Sequence, residues 1–117
     1  MQRFLYRREP NIAHKWRTTF EEEGRQYHED ASISQRGKWV TGQLELRENG
    51  DTTIYKFSGT FQHLILTCTY ESTDPRDYER GSFTLKYFRG MFRGQHILLS
   101  RSSDQPISSE YDWTAVD

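Results

Sequence analysis

At 117 residues the chain carries one domain's worth of sequence, and a second independent core is not expected. Only 33% of it is hydrophobic, but a net charge of -1 and a ring-rich apolar set (3 Trp, 7 Tyr, 7 Phe) argue for a folded core rather than disorder. The longest aliphatic runs, Leu64-Ile65-Leu66 and Ile97-Leu98-Leu99, fall far short of the ~18 residues of a membrane span; the basic stretch Met1 to Arg8 lacks the apolar segment of a secretory signal; and the lone Cys68 has no internal disulfide partner, which together favour a reducing, cytoplasmic setting.

Alternation with a period of two recurs along the chain, helical periodicity does not, and the expected class is all-β. Residues 1–12 read as an extended basic lead-in and 13–117 as a single ligand-binding barrel domain. Strand one is predicted over 15–22, with Trp16, Thr18 and Phe20 on one face, and Gly24 turns it into strand two, about 26–35, with Tyr27 inward. Arg36-Gly37 leads to strand three, 38–48, where Val40, Gly42, Leu44 and Leu46 share a face. Asn49-Gly50 is the strongest hairpin signal, since both residues tolerate the positive φ of a type I′ turn. Strand four is predicted over 52–58 around Tyr55 and Phe57, with Gly59 separating it from strand five, 61–72, where Leu64, Leu66, Cys68 and Tyr70 face together.

The polar loop Thr73-Asp74-Pro75-Arg76-Asp77 precedes strand six, 82–89, with Phe83, Leu85 and Tyr87 inward. Strand seven, 91–101, is ambiguous because Phe92, His96 and Leu98 compete with Met91, Ile97 and Leu99 for the inner face. After Pro106 a last strand places Ile107, Ser109, Tyr111 and Trp113 together. Eight strands joined by short turns predict a small up-and-down antiparallel β-barrel, lipocalin-like, whose closure removes free edges. A two-sheet sandwich is the alternative, but no Greek-key crossover is visible.

The chain lacks a nucleophile elbow, a His-Glu-x-x-His pair, a P-loop and a dinucleotide fingerprint. His14, His28, His63 and His96 fall in separate strands without metal-ligand spacing, and Cys68 alternates with apolar neighbours as a buried thiol does. No enzyme, cofactor or metal is expected. The near-neutral charge argues against a general binder of long nucleic acid, whereas twelve Arg against four Lys suits bidentate phosphate contacts. An eight-stranded barrel has room for side chains or one small ligand. The inward set is aromatic and hydroxylated rather than aliphatic, which fits flat bases and phosphates better than a fatty acid.

Asn11-Ile12-Ala13-His14-Lys15-Trp16, the glycines 42 and 59, Tyr70-x-Ser72, Arg80-Gly81-x-Phe83 and Tyr111-x-Trp113 resemble the β-barrel receptor domain of the two-transmembrane β-strand-rich effectors of bacterial CBASS antiphage systems. The resemblance spans roughly residue 10 to the end. It implies a barrel that senses a cyclic dinucleotide, with membrane attachment only through two upstream helices that this sequence lacks, so that the chain is an excised receptor domain or a free-standing relative that sequesters the signal. The glycine that lipocalin-like barrels carry two residues before the strand-one Trp is His14 here.

The expected partner is thus a cyclic dinucleotide or related cyclic oligonucleotide, with Arg80, Arg93 and Arg17 meeting phosphates and Tyr78, Tyr70, Trp16 and Trp113 stacking on bases. A monomer or small oligomer is expected. A lipocalin-like carrier of a small apolar ligand and a protein-interaction barrel are the competing functions.

Overall fold

The computed structural model describes residues 10–22, 24–48, 50–76, 79–99 and 104–116. Eight antiparallel strands follow one another: β1 (Lys15–Glu22), β2 (Arg25–Arg36), β3 (Trp39–Glu48), β4 (Asp51–Gln62), β5 (Ile65–Ser72), β6 (Arg80–Phe88), β7 (Met91–Leu99) and β8 (Ile107–Ala115). Each pairs with the next, and β1 pairs with β8, giving a closed up-and-down barrel. Closure is the sparse part: among the described residues only Trp16↔Ala115 and Arg17↔Thr114 are in register there.

The alternation read from the sequence sets the inner face. Trp16 and Thr18 of β1, Val40 and Leu44 of β3, Tyr55 and Phe57 of β4, Leu66, Cys68 and Tyr70 of β5, Phe83 and Leu85 of β6, and Tyr111 and Trp113 of β8 are all buried. In β7 the even positions win: Phe92 is fully buried and His96 and Leu98 are half-buried, whereas Ile97 and Leu99 are exposed. Strand β2 turns Tyr27, Glu29, Ala31 and Ile33 inward, so a carboxyl group enters the core.

The strand-four boundary differs from expectation. Strand β4 runs through Gly59 to Gln62, and the turn falls at His63-Leu64, so Leu64 is a tip residue rather than part of the β5 face. Both tip residues have positive φ, 54° and 65°, the type I′ pattern that normally calls for Asn or Gly. Gly59 instead serves close approach, since a Cβ there would lie 1.9 Å from the Thr67 carbonyl oxygen on β5.

The strands put the tips 37–38, 63–64 and 89–90 at one end, together with residues 10–14, and the 73–79 connection at the other. Residues 10–14 form a strap across the first end. Ile12 is fully buried; its amide donates to Gln35 Oε1 (3.1 Å), and its carbonyl accepts from Trp16 Nε1 (3.1 Å). The expected lead-in therefore ends inside the core. Rings fill the barrel axis: Trp16 lies edge-on to Phe92 (4.9 Å between centroids), and Trp113 packs on Phe83 (5.3 Å), Phe92 (5.7 Å) and Phe57 (6.0 Å).

Candidate functional site

Two polar arrangements stand out, one outside the barrel and one inside. On the outside, the residues of β2 to β6 that point away from the core fall into rows fixed by register. Ser34, Thr41, Ser58, Thr69 and Ser82 are cross-strand neighbours in succession. At ~4.8 Å per strand this hydroxyl row spans about 19 Å. Beside it runs a second row, Ser32, Gln43, Lys56, Glu71 and Arg80.

Together the two rows line a groove of about 1070 Å³ on the barrel's outer face, with Leu99 also in its lining. Gly42 and Gly81 belong to the inner face behind the groove, where their register partners Phe57 and Tyr70 lay their rings over them. A Cβ on Gly42 would meet Phe57 Cζ at 2.3 Å, and one on Gly81 the Tyr70 hydroxyl at 2.7 Å. Ring and glycine thus fit as one unit.

Groove electrostatics are set by Lys56 and Arg80 against Glu71. Arg80 Nη2 stands 3.5 Å from Glu71 Oε2 with both side chains largely exposed, a pairing of little strength that an incoming anion can displace. Hydroxyls, the Gln43 amide and two cations make a surface that donates hydrogen bonds to a ligand rich in acceptors. A second cleft, of about 550 Å³, lies between strap residues Pro10, Asn11 and Ala13 and the Gly37-Lys38 tip.

Inside, Glu29 accepts a short hydrogen bond from the Tyr111 hydroxyl across 82 residues of sequence. Burial pushes the Glu29 carboxyl up to about 7, opposed by the Tyr111 hydrogen bond and reinforced by neighbouring Asp30. Burial, then the carboxyl, holds the Tyr111 phenol well above its usual range. His96 stacks on Tyr111 (4.8 Å), bonds Ser109 Oγ through its ring (3.0 Å), and is held below the ordinary histidine value by burial. Burial likewise takes the Cys68 thiol up to about 12, far from a nucleophile's range. Among the described residues no cluster of His, Cys, Asp or Glu has the geometry of a metal site.

Of the seven residues singled out by sequence, Arg80 lines the groove with its side chain, whereas the Tyr70 ring lies on the inner side of the sheet against Tyr55 (5.6 Å) and Phe83 (6.2 Å). Arg93 lies on the outer face of β7, between Lys86 and Asp112 in register, and Arg17 is held by Asp30 (2.9 Å); neither lines the groove. That ion pair keeps Asp30 below its ordinary value. Trp16 and Trp113 are core rings, 1% and 0% exposed. Tyr78 lies outside the described residues. Sequence reasoning passed over Lys56, the hydroxyl row and Glu29.

Fold and groove define a closed, ring-filled barrel with a polar groove on its wall. No family model, curated protein or solved structure matches the chain.

Proposed function

We propose that the barrel is a receptor for a small phosphate-bearing ligand of the cyclic-dinucleotide kind, held in the groove outside the sheet. The observation that carries the reading is the placement of Arg80 and Lys56 beside an unbroken row of five hydroxyl side chains in a groove of about 1070 Å³. That volume sits at the upper edge of small-ligand sites, which run to ~1,000 Å³. It suits a ligand of two nucleotides better than a single metabolite.

Arginine forks and ammonium groups meet phosphates, while Ser, Thr and Gln side chains read ribose hydroxyls and base edges. The lumen does not favour carriage of an apolar ligand, because Trp16, Phe57, Phe83, Phe92 and Trp113 occupy its axis. On this reading the chain is the sensor part of an antiphage effector, or a relative that sequesters the signal, as the resemblance implies.

The test is thermal shift and calorimetry with cyclic dinucleotides, a cyclic trinucleotide, a linear dinucleotide and a fatty acid. A ligand at a hundredfold excess over Kd adds ~2.7 kcal/mol, a shift of several degrees for a domain of this size. Arg80→Ala and Lys56→Ala should each weaken binding about tenfold or more and flatten its salt dependence, with the fold intact. Cyclic nucleotides that leave the melting temperature unmoved, or bind both variants as they bind the parent, overturn the proposal.

A further inference from the structure

The strap end of the barrel has a surface unlike the rest. Three hairpin tips converge there, and each presents a large apolar side chain outward: Trp39 is 60% exposed, Phe88 58% and Leu64 37%. Two of these carry a cation on the ring, with Lys38 Nζ 5.1 Å from the Trp39 centroid and Arg89 Cζ 5.1 Å from that of Phe88. Leu64 is held out at a φ of 65°, a conformation that bulky residues rarely adopt. The tips are tied to their neighbours: Phe61 donates its amide to the Lys38 carbonyl (2.7 Å), and Tyr87 donates to that of Leu64 (2.8 Å). The exposed rings therefore ride on fixed backbone.

Charge among the described residues at this end is one-sided. Lys15, Arg36, Lys38, Lys86 and Arg89 cluster on the strap, the tips and the strand ends beside them, and among the described residues none of the five has a carboxylate in ion-pair range. The neighbouring described acids in register are Asp112, opposite Arg93, and Asp30, opposite Arg17 and already paired with it. The far end is built otherwise, since Arg25 pairs with Glu48 (2.9 Å) and Arg76 with Asp74 (3.2 Å). Rings and a leucine at loop tips, beside five cations that pair with no carboxylate among the described residues, make a surface whose complement is apolar just beneath a layer of negative charge.

We propose that the strap end docks on an anionic lipid bilayer, with Trp39, Leu64 and Phe88 entering the headgroup region and the five cations lying over lipid phosphates and carboxylates. Trp at an interface and Lys or Arg reaching headgroups are the ordinary chemistry of that boundary. Attachment is peripheral, because the outer strand faces above the rim are mostly Ser, Thr and charged side chains, and the exposed Ile54, Ile97, Leu99 and Ile107 are too few to make the apolar band of a membrane-spanning barrel. The surface lies at the opposite end from the 73–79 connection and is independent of the ligand groove.

The full chain is mixed with phosphatidylcholine vesicles with and without phosphatidylserine, and binding is read by flotation and by tryptophan emission. Trp16 and Trp113 are fully buried, so a blue shift reports Trp39. Selective, salt-sensitive binding to the serine-containing vesicles with a blue shift is the expected result. Each cation near such a surface is worth about fivefold, so Lys38→Glu with Arg89→Glu should weaken binding on the order of twenty-five-fold or more. Trp39→Ser with Phe88→Ser should abolish it, with melting temperatures unchanged because these side chains are exposed. Arg80→Ala should bind vesicles as the parent does, which separates this surface from the groove. Equal binding to both vesicle types, binding to neither, parental binding by the charge-reversal variant, or preference for an RNA oligonucleotide over the anionic vesicles overturns the proposal.

Discussion

Replacing Glu29 with Gln should leave the barrel nearly unchanged in acid and make it more stable in mild base. The carboxyl has an ordinary value of 4.5 and is held at about 7 by burial in the folded barrel. A raised value means that the folded state favours the protonated form, so this group's contribution is fully present below 4.5 and is lost as pH climbs through about 7. At ~1.4 kcal/mol per pH unit, that interval amounts to roughly 3 kcal/mol. Gln keeps the carbonyl that accepts from Tyr111 and has no proton to lose. Urea unfolding of parent and variant, followed from acid to about pH 8, should give curves that meet near pH 4.5 and separate by roughly 3 kcal/mol above neutrality. His96, lowered by burial, acts with the opposite sign by losing stability as pH falls, but it is present in both proteins and drops out of the difference. A difference that stays constant across the interval would refute the reasoning, whatever its size.

Three further outcomes follow from packing. Gly59→Ala places a methyl 1.9 Å from one backbone atom of β5 and 2.7 Å from another, so it should cost about 3 kcal/mol in a urea titration, and a neutral result would mean that the strand crossing is looser than described. Ile12→Ala removes the plug beneath the strap and should cost ~2 to 5 kcal/mol by thermal unfolding; unchanged stability would show that the strap does not pack. Cys68 should resist a thiol reagent in the native protein and react at once in urea, and rapid native labelling would contradict its burial.

Much of the barrel was legible because period-two alternation is a local signal. Val40, Gly42, Leu44 and Leu46 had to share a face whatever their partners. The turn after β4 was not legible, since His63-Leu64 has no turn signature and Gly59 has a strong one; the glycine is there to spare the Thr67 carbonyl a clash. That single misplacement hid the groove. Ser34 and Thr41 are equidistant from the turn at 37–38, and Ser58 and Thr69 are equidistant from the turn at 63–64. With the turn set at Gly59, Ser58 has no reason to face Thr69, and the hydroxyl row breaks at its centre. Arg80 was singled out because it adjoins Gly81, and the register places it in the groove's second row. Glu29 was passed over because its partner Tyr111 lies at the far end of the chain, where only closure brings the two together. Trp16 and Trp113 satisfy the same pattern as base-stacking rings and core rings alike, and only their burial among Phe92, Phe83 and each other distinguishes the two.

Closure is also where the buried acid acts. Every other neighbouring pair of strands is joined by a connection of at most seven residues, so only β1 against β8 must close nearly the whole chain and carry the entropy of doing so. Among the described residues the seam's backbone share is small, two register pairs and the Val116 amide on the Lys15 carbonyl (3.0 Å), to which the Thr114 side-chain hydroxyl adds a bond to the Arg17 carbonyl (3.3 Å). Side chains must supply the rest. Trp16 stacks on Trp113 from one side of the seam to the other (6.4 Å), and the Glu29–Tyr111 hydrogen bond reaches from β2 to β8 over the inner face of β1, clamping the closing strand between its neighbours. Ionising Glu29 places a charge under that clamp, and the least costly way to hydrate it is to open the seam rather than to loosen all eight strands. Amide exchange corrected for its intrinsic pH dependence should therefore accelerate in β1 and β8 as pH passes about 7, while the β3–β4 hairpin keeps its protection. Glu29→Gln should abolish the difference, and equal acceleration in all strands would show that the acid destabilises the barrel as a whole and is no part of its seam.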